Sequence, residues 1–139
     1  MYLKIAPSIL AADFGNLSRD CELIDKSSAD WFHLDIMDGV FVPNITFGTP
    51  ILDVFKKYSE KHLDMHLMIV NPENYIEKFA SLGANTITVH YEACDNLKDT
   101  IKQIKKLNVK AGVAINPDTD VSLLKKFIDQ IDLVCLMSV

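Results

Sequence analysis

The sequence predicts an α/β fold, a TIM (β/α)₈ barrel of which 139 residues would supply about five and a half βα units. Short β-branched segments alternate with helical patterns every 20 to 30 residues or so, about the length of a βα unit. Several segments also alternate polar and apolar side chains, whereas strands of a sheet covered on both faces are almost wholly apolar. An open doubly wound sheet is the alternative, and the lack of GxGxxG after the first segment disfavours its dinucleotide-binding form.

The alternation defines six strands and five helices. The strands are expected at residues 4–10, 31–37, 63–69, 86–91, 110–115 and 133–139. The helices are expected to begin near Leu17, Pro50, Pro72, Asn96 and Val121. Thr49 and Asn71 each precede a proline, so both are expected to cap the helix that follows. Gly83 is expected to end the third helix in a left-handed conformation.

Composition describes one domain spanning residues 1–139. Hydrophobic residues make up 49% of the chain, and the net charge of -5 is spread without a basic stripe, which argues against nucleic acid and anionic membranes as partners. The sequence has neither a run of about 20 apolar residues nor a signal-peptide pattern, so we expect a cytoplasmic protein. Three widely spaced cysteines without a CxxC motif argue against a disulfide framework.

Polar side chains recur at alternate positions of three strands, where they would meet in the barrel interior. His33 and Asp35 share one face of the second strand, and His66 lies on the third. Two imidazoles and a carboxylate suit a divalent transition metal such as zinc, iron, cobalt or manganese. The alternative is that they are hydrogen-bonded interior groups without a metal. His90 and Glu92, on the interior face at the end of the fourth strand, could orient ligands or simply pack.

Longer motifs carry a family resemblance. The segments APSILAADFGNL, HLDIMDGVFVPNITFG, DMHLMI, VHYEA, GVAINPDT and LMSV resemble, in order and spacing, the strand-and-loop signatures of the ribulose-phosphate 3-epimerase family. The resemblance implies a barrel of the ribulose-phosphate-binding type. It also implies an isomerase of the pentose phosphate pathway that interconverts D-ribulose 5-phosphate and D-xylulose 5-phosphate. Proton transfer at C3 would be metal-assisted and pass through an enediolate, and we expect a homo-oligomer acting on a small sugar phosphate.

The resemblance also assigns roles to individual positions. His33, Asp35 and His66 would bind the metal, and Asp35 would double as an acid/base. Ser8 and His66 would contact substrate. An apolar cushion over the reacting carbons would be formed by Met37, Met68 and Met137. Without the resemblance, these methionines are interpreted as strand core residues.

The sequence stops at Val139, within the predicted sixth strand. In the family, glycine-rich phosphate loops and an aspartate serving as fourth ligand and second acid/base follow later. We therefore expect the 139-residue chain to be inactive alone. Two other interpretations stay open: a related ketohexose-phosphate 3-epimerase, and a non-catalytic half-barrel that acts as an assembly partner.

Overall fold

A five-stranded parallel sheet forms the centre of the computed structural model, which describes residues 3–139. The strands are β1 (Trp31–Met37), β2 (His62–Met68), β3 (Thr86–His90), β4 (Lys110–Ile115) and β5 (Leu133–Leu136). They lie side by side in sequence order, each hydrogen-bonded to the next. A doubly wound sheet reverses its strand order at a switch point, whereas a barrel does not. The sequential order therefore confirms the predicted barrel-type architecture.

Helices connect consecutive strands. The α-helices are α1 (Leu17–Asp25), α2 (Thr49–Tyr58), α3 (Ile76–Ser81) and α4 (Leu97–Lys106). Single turns or short runs of 3₁₀ helix cover Ile9–Ala11, Phe14–Asn16, Pro72–Asn74, Tyr91–Ala93 and Val121–Phe127. The predicted helix near Val121 thus forms as a 3₁₀ helix. Within residues 3–139, no helix is both long and apolar enough to cross a membrane.

The apolar face of the sheet, called here the outer face, packs against the helices. Leu34, Leu67 and Ile87 of this face are fully buried, as is Phe32, whose ring meets that of Phe55 from α2 edge-on at 5.5 Å. Side chains of both layers form one continuous hydrophobic cluster. Burial of this cluster supplies the main driving force for the fold, at about 25 cal/mol per Å² of apolar surface. It also fixes which face of each strand points inward.

The opposite, inner face gathers polar side chains from neighbouring strands. The register of β1 and β2 pairs His33 with Asp64 and Asp35 with His66. Because side chains alternate along a strand, a slip of one residue would turn this whole polar set toward the helices. The apolar contacts of the outer face therefore determine the position of the inner polar set.

The strand predicted at residues 4–10 does not form. Residues 3–7 run extended beside β1, where the backbone oxygens of Ile5 and Pro7 accept hydrogen bonds from that strand, and Ser8 makes one parallel bridge to His33. Pro7 has no N–H to donate, which interrupts the ladder, and a 3₁₀ turn begins at Ile9. The segment still reaches the place expected for a first strand.

The predicted helix caps are wrong, although the predicted stop is confirmed. Gly48 is the residue before α2, and Thr49 already lies inside the helix, with Pro50 in its first turn. Asn71 precedes a 3₁₀ turn with φ 49° and makes no side-chain capping bond. Because that left-handed backbone turns the side chain away from the helix amides, a capping residue type is not sufficient for a cap. Gly83 has φ 96°, as its predicted role requires.

Candidate metal centre

The three predicted metal ligands meet on the inner face. Asp35 Oδ1 lies 3.1 Å from His33 Nε2 and 3.0 Å from His66 Nδ1. One possible ligand atom from each residue lies within 4.8 Å of the other two. The side chain of His33 is 20% exposed, that of Asp35 10% and that of His66 only 2%, so the group is nearly enclosed with one accessible side.

The donor set of this triad fits a divalent transition metal. Two imidazole nitrogens and one carboxylate oxygen are the ligands that such ions take in protein sites with open positions. The three side chains come from two adjacent strands, so the sheet holds them in place. Separations of about 3 Å between the donor atoms are also compatible with atoms that share one ion. The structure therefore confirms that the predicted residues form a possible metal site.

Electrostatics polarise the triad strongly. Burial alone would raise the pKa of Asp35, but hydrogen bonds from His33, His66 and Ser8 hold it well below its usual range. Burial alone would lower the pKa of His33, but hydrogen bonds to Asp35 and Asp64 raise it to about 10. Asp35 is therefore an anion at neutral pH, and a cation entering the site has to displace the proton of His33.

His33 is oriented by a residue to which the sequence alone assigned no role. His33 Nδ1 lies 2.8 Å from Asp64 Oδ2, so Asp64 fixes the ring with Nε2 toward Asp35. Thr88 donates a hydrogen bond to the other Asp64 oxygen at 3.3 Å. A carboxylate behind a ligating histidine is a common way to orient the ring and raise its basicity. The sequence signal that could have indicated this role is the alternation of side chains along a strand, which puts Asp64 on the same face as His66.

His66 is held from the side opposite Asp35. Its Nε2 lies 2.9 Å from His90 Nε2, and His90 Nδ1 lies 3.2 Å from Glu92 Oε2. Burial, together with the neighbouring His66, lowers the pKa of His90 to about 4, so this ring is neutral at physiological pH. Burial alone would raise the pKa of Glu92, but hydrogen bonds from Thr119 and the Asn116 amide lower it. The hydrogen bonds of the second histidine, His66, therefore also lead to a carboxylate, that of Glu92.

Ser8 reaches the triad from the extended N-terminal segment. Its hydroxyl donates a hydrogen bond to Asp35 Oδ2, and its backbone is placed by the bridge to His33. The Ser8 oxygen also accepts a hydrogen bond from the amide of Leu10, which fixes the side chain at the start of the 3₁₀ turn. Ser8 is therefore brought to the site as expected, although the segment is not a strand.

The three predicted methionines lie on the same sheet face as the triad. Met37 and Met68 are paired in register, two residues beyond Asp35 and His66. Met137 follows β5, where its amide donates to the Ile115 oxygen and its Sδ lies 4.0 Å from Cys135 Sγ. Strand alternation puts all three side chains toward the inner face near the carboxyl ends of the strands.

A loop after β1 closes over part of this face. Asp38 accepts hydrogen bonds from the amides of Val40, Phe41 and Val70, which ties the loop to the end of β2. The Phe41 ring lies 4.7 Å from the ring of His90. Two other polar loop residues are not brought to the triad, since Asp13 caps its own 3₁₀ turn and Asn44 is exposed.

Fold and site together define a class: parallel α/β proteins of the barrel type with a possible His-Asp-His metal site on the inner face of two adjacent strands. Comparison with known proteins narrows this class to one family. The model of the ribulose-phosphate 3 epimerase family matches residues 4–139. The chain belongs to the ribulose-phosphate 3-epimerase family.

Several curated relatives are named ribulose-phosphate 3-epimerase. Those from Bacillus subtilis and Synechocystis are each 47% identical to 99% of this chain, and the chain spans 63% and 60% of their lengths. A chloroplastic relative from Arabidopsis thaliana, named ribulose-5-phosphate-3-epimerase, is 42% identical over 97% of the chain, which spans 49% of that protein. The chain therefore spans about half to two thirds of the lengths of these relatives.

A solved structure supports the fold independently. The crystal structure of the N-terminal domain of a Bacteroides vulgatus protein superimposes with a TM-score of 0.68. The match covers 96% of this chain and 54% of that one, at 16% sequence identity. At that identity the likeness concerns the fold alone.

Proposed function

We propose that this chain belongs to an isomerase that interconverts D-ribulose 5-phosphate and D-xylulose 5-phosphate by proton transfer at C3. The observation that carries the proposal is the meeting of His33, Asp35 and His66 within 4.8 Å on the inner face, in a chain of the ribulose-phosphate 3-epimerase family. Curated relatives with this activity in their names support the substrate. We further propose zinc, iron, cobalt or manganese as the ion, since each accepts imidazole and carboxylate ligands.

Asp35 is proposed as a proton acceptor. A divalent ion held by the triad would polarise a neighbouring ketone and make the adjacent carbon-bound proton easier to remove. Asp35 is ionised and directed by hydrogen bonds from both histidines, so one of its oxygens can take that proton while the other stays anchored. Inversion also requires an acid/base group on the second face of the planar carbon, because a single group returns the proton to the face it left.

The remaining predicted residues are proposed to bind and shield the substrate. The Ser8 hydroxyl donates a hydrogen bond to Asp35 Oδ2. When substrate binds, this hydroxyl would form a hydrogen bond with a substrate hydroxyl. Thioether side chains offer no strong hydrogen bond, so they would exclude water from the reacting carbon without competing for protons. This role is proposed for Met37, Met68 and Met137. His66 would contact substrate as well as metal.

The proposal also covers the domain, the cellular location and the partners of the protein. We propose one TIM-barrel domain for the described residues, because their core is a single cluster and their strands follow in order. Three free cysteines support a cytoplasmic location, and the net charge of -5 argues against nucleic acid as a partner. From the family we also propose a homo-oligomer that binds a small sugar phosphate.

Metal titration tests the ligand set. Calorimetry with Zn²⁺, Mn²⁺, Co²⁺ and, without oxygen, Fe²⁺ should show about one ion bound per chain. His66→Ala should lower the affinity by more than the roughly 10- to 100-fold typical of losing a supporting residue. His62→Ala is the matched control, because His62 lies on the same strand but bonds Thr86 outside the triad. Equal binding by wild type and His66→Ala would refute the ligand set.

Isotope exchange tests the chemistry separately from inversion. In D₂O, deuterium entering C3 of D-ribulose 5-phosphate reports proton removal, whereas D-xylulose 5-phosphate reports inversion. On the longest natural polypeptide that carries this sequence, we expect both signals, and we expect Asp35→Asn to abolish both. Exchange that persists in Asp35→Asn would exclude Asp35 as the acceptor. Faster turnover of a hexulose 6-phosphate would instead indicate a ketohexose-phosphate epimerase.

A further inference from the structure

A chain of hydrogen bonds runs from the backbone of the β4 loop to a proposed metal ligand. Glu92 Oε1 accepts from the Asn116 amide at 2.8 Å and from the Thr119 hydroxyl. The other oxygen, Oε2, lies 3.2 Å from His90 Nδ1. His90 Nε2 in turn lies 2.9 Å from His66 Nε2, with ring planes 18° apart. The chain connects three consecutive strands through side chains of the inner face.

We propose that Glu92 and His90 are positioning residues that set the tautomer of His66, keeping its proton on Nε2 so that Nδ1 offers a lone pair to the metal. The inference rests on the proposed ligand set. It goes further by assigning a task to two residues that do not themselves belong to the triad. Neither residue touches the reacting atoms, so both act through His66.

The order of donors and acceptors fixes the direction of the chain. A backbone N–H can only donate and an ionised carboxylate can only accept, so Glu92 faces His90 as an acceptor and His90 Nδ1 carries a proton. His90 is 1% exposed, and a neutral imidazole has only one N–H, so its Nε2 is left with a lone pair. The two facing nitrogens need one proton between them. His66 must supply it from Nε2.

The consequence falls on the other side of the His66 ring. While no ion is bound, Nδ1 of His66 donates a hydrogen bond to Asp35 Oδ1 at 3.0 Å. When an ion replaces that proton, the proton held on Nε2 by the contact with His90 leaves Nδ1 with the lone pair that the ion needs. The opposite tautomer would place a proton where the ion has to bind. For a residue 24 positions from His90, this choice is made by the cross-strand contact and not by local sequence.

A simpler role for Glu92 is to staple the loop after β4, since it binds both Asn116 and Thr119. A staple needs only Oε1 and its two donors. It would be indifferent to which nitrogen of His90 carries the proton. The two roles therefore differ in their response to a change that affects Oε2 alone.

Glu92→Gln makes that change. The Asn116 amide selects the carbonyl oxygen of the new side chain, which leaves the NH₂ group facing His90. His90 Nδ1 then has to accept, its proton moves to Nε2, and His66 Nε2 becomes the acceptor. We expect nitrogen-15 NMR of the metal-free chain to show His90 protonated on Nδ1 in wild type and on Nε2 in Glu92→Gln. We also expect Zn²⁺ affinity to fall about 10- to 100-fold.

Thr119→Val is the matched control. It removes a donor to Oε1 and weakens the loop, but it leaves Oε2 facing His90, so the His90 tautomer and Zn²⁺ affinity should match wild type. Wild-type His90 protonated on Nε2 would overturn the proposal without any variant. So would a Glu92→Gln chain with unchanged tautomer and affinity. If the wild-type chain binds no ion, the proposed function fails, while the His90 tautomer still tests the link to His66.

Discussion

Gly112 shows how closely the inner face is packed at the scale of one residue. It lies on β4 opposite Thr88 of β3, and a Cβ there would overlap Thr88 Oγ1 and come within 3.2 Å of the Thr88 Cα. The Thr88 hydroxyl donates to Asp64, and Asp64 orients His33. Only glycine lets the two strands approach while that hydroxyl keeps its partner. A residue without a side chain is thus part of the support for a proposed ligand.

Gly112→Ala should therefore lower the free energy of unfolding by about 1 to 3 kcal/mol, the usual cost of overpacking a close contact. The new methyl group has to push Thr88 away, because backbone and not only a flexible side chain stands in its path. Urea denaturation followed by circular dichroism would measure the change. Gly48→Ala is the control, since its Cβ would meet nothing nearer than 3.9 Å. Equal stability of the two variants would contradict the prediction.

At the scale of the element, the local sequence pattern predicted most strands better than it predicted the helix caps. The bounds of β1 and β4 were predicted correctly, and β1 also shows the alternation of polar and apolar residues that marks the two faces of a strand. The segment at 4–10 has a strand-like composition, yet Pro7 removes the donor that a ladder needs. The predictions of the helix caps were wrong for a related reason. A capping residue type does not fix the backbone angles on which the cap depends.

The same distinction applies to the site. His33, Asp35 and His66 could be predicted to meet because they share a face on consecutive strands, and neighbouring strands usually pair. The role of Asp64 could not be predicted, and for Glu92 the sequence left orientation of a ligand and simple packing open. Both roles depend on the register of adjacent strands and on which way each ring nitrogen points. Register is set by the packing of the outer face against the helices. That information is distributed over the whole element.

Asp132 ties one element to the next, just before β5. Its carboxylate accepts from the Ala111 amide at 2.8 Å and from Lys105 at 3.0 Å. Burial alone would raise the pKa of Asp132, but the Ala111 amide and Lys105 lower it. A carboxyl with a lowered folded pKa stabilises the fold above its unfolded pKa of about 3.9, and this contribution is lost as pH falls through the folded pKa.

Asp132→Asn should therefore cost about 1 kcal/mol of unfolding free energy at pH 7, a modest value because the carboxylate is 34% exposed. The difference from wild type should shrink as pH falls from about 4 toward the lowered pKa of the folded state, because the carboxyl of the unfolded chain takes up its proton first. Thermal unfolding between pH 7 and pH 3 would measure it. Asp129→Asn removes the same charge from an exposed neighbour and should show little change. A difference that stays constant with pH would count against the ionic contribution.

At the scale of the whole molecule, the outer face is not covered evenly. On β1 to β4 its apolar side chains are buried under helices, whereas on β5 Val134 is 37% and Leu136 is 68% exposed. Within residues 3–139, no strand pairs with the far edge of β5. An apolar strand with an unpaired edge offers both hydrogen-bonding groups and hydrophobic surface to another chain.

A polypeptide made of these 139 residues alone is therefore expected to self-associate through β5. Sedimentation velocity should show an average mass that rises with concentration. Val134→Lys should shift the distribution toward monomer, because a lysine ammonium resists burial between two sheets and blunts the edge. Leu23→Lys is the control, since Leu23 is 55% exposed on α1, away from the sheet edge, and its charge should leave association unchanged. β5 does not drive association if the average mass is independent of concentration. The same conclusion would follow if both lysine variants lowered the average mass equally.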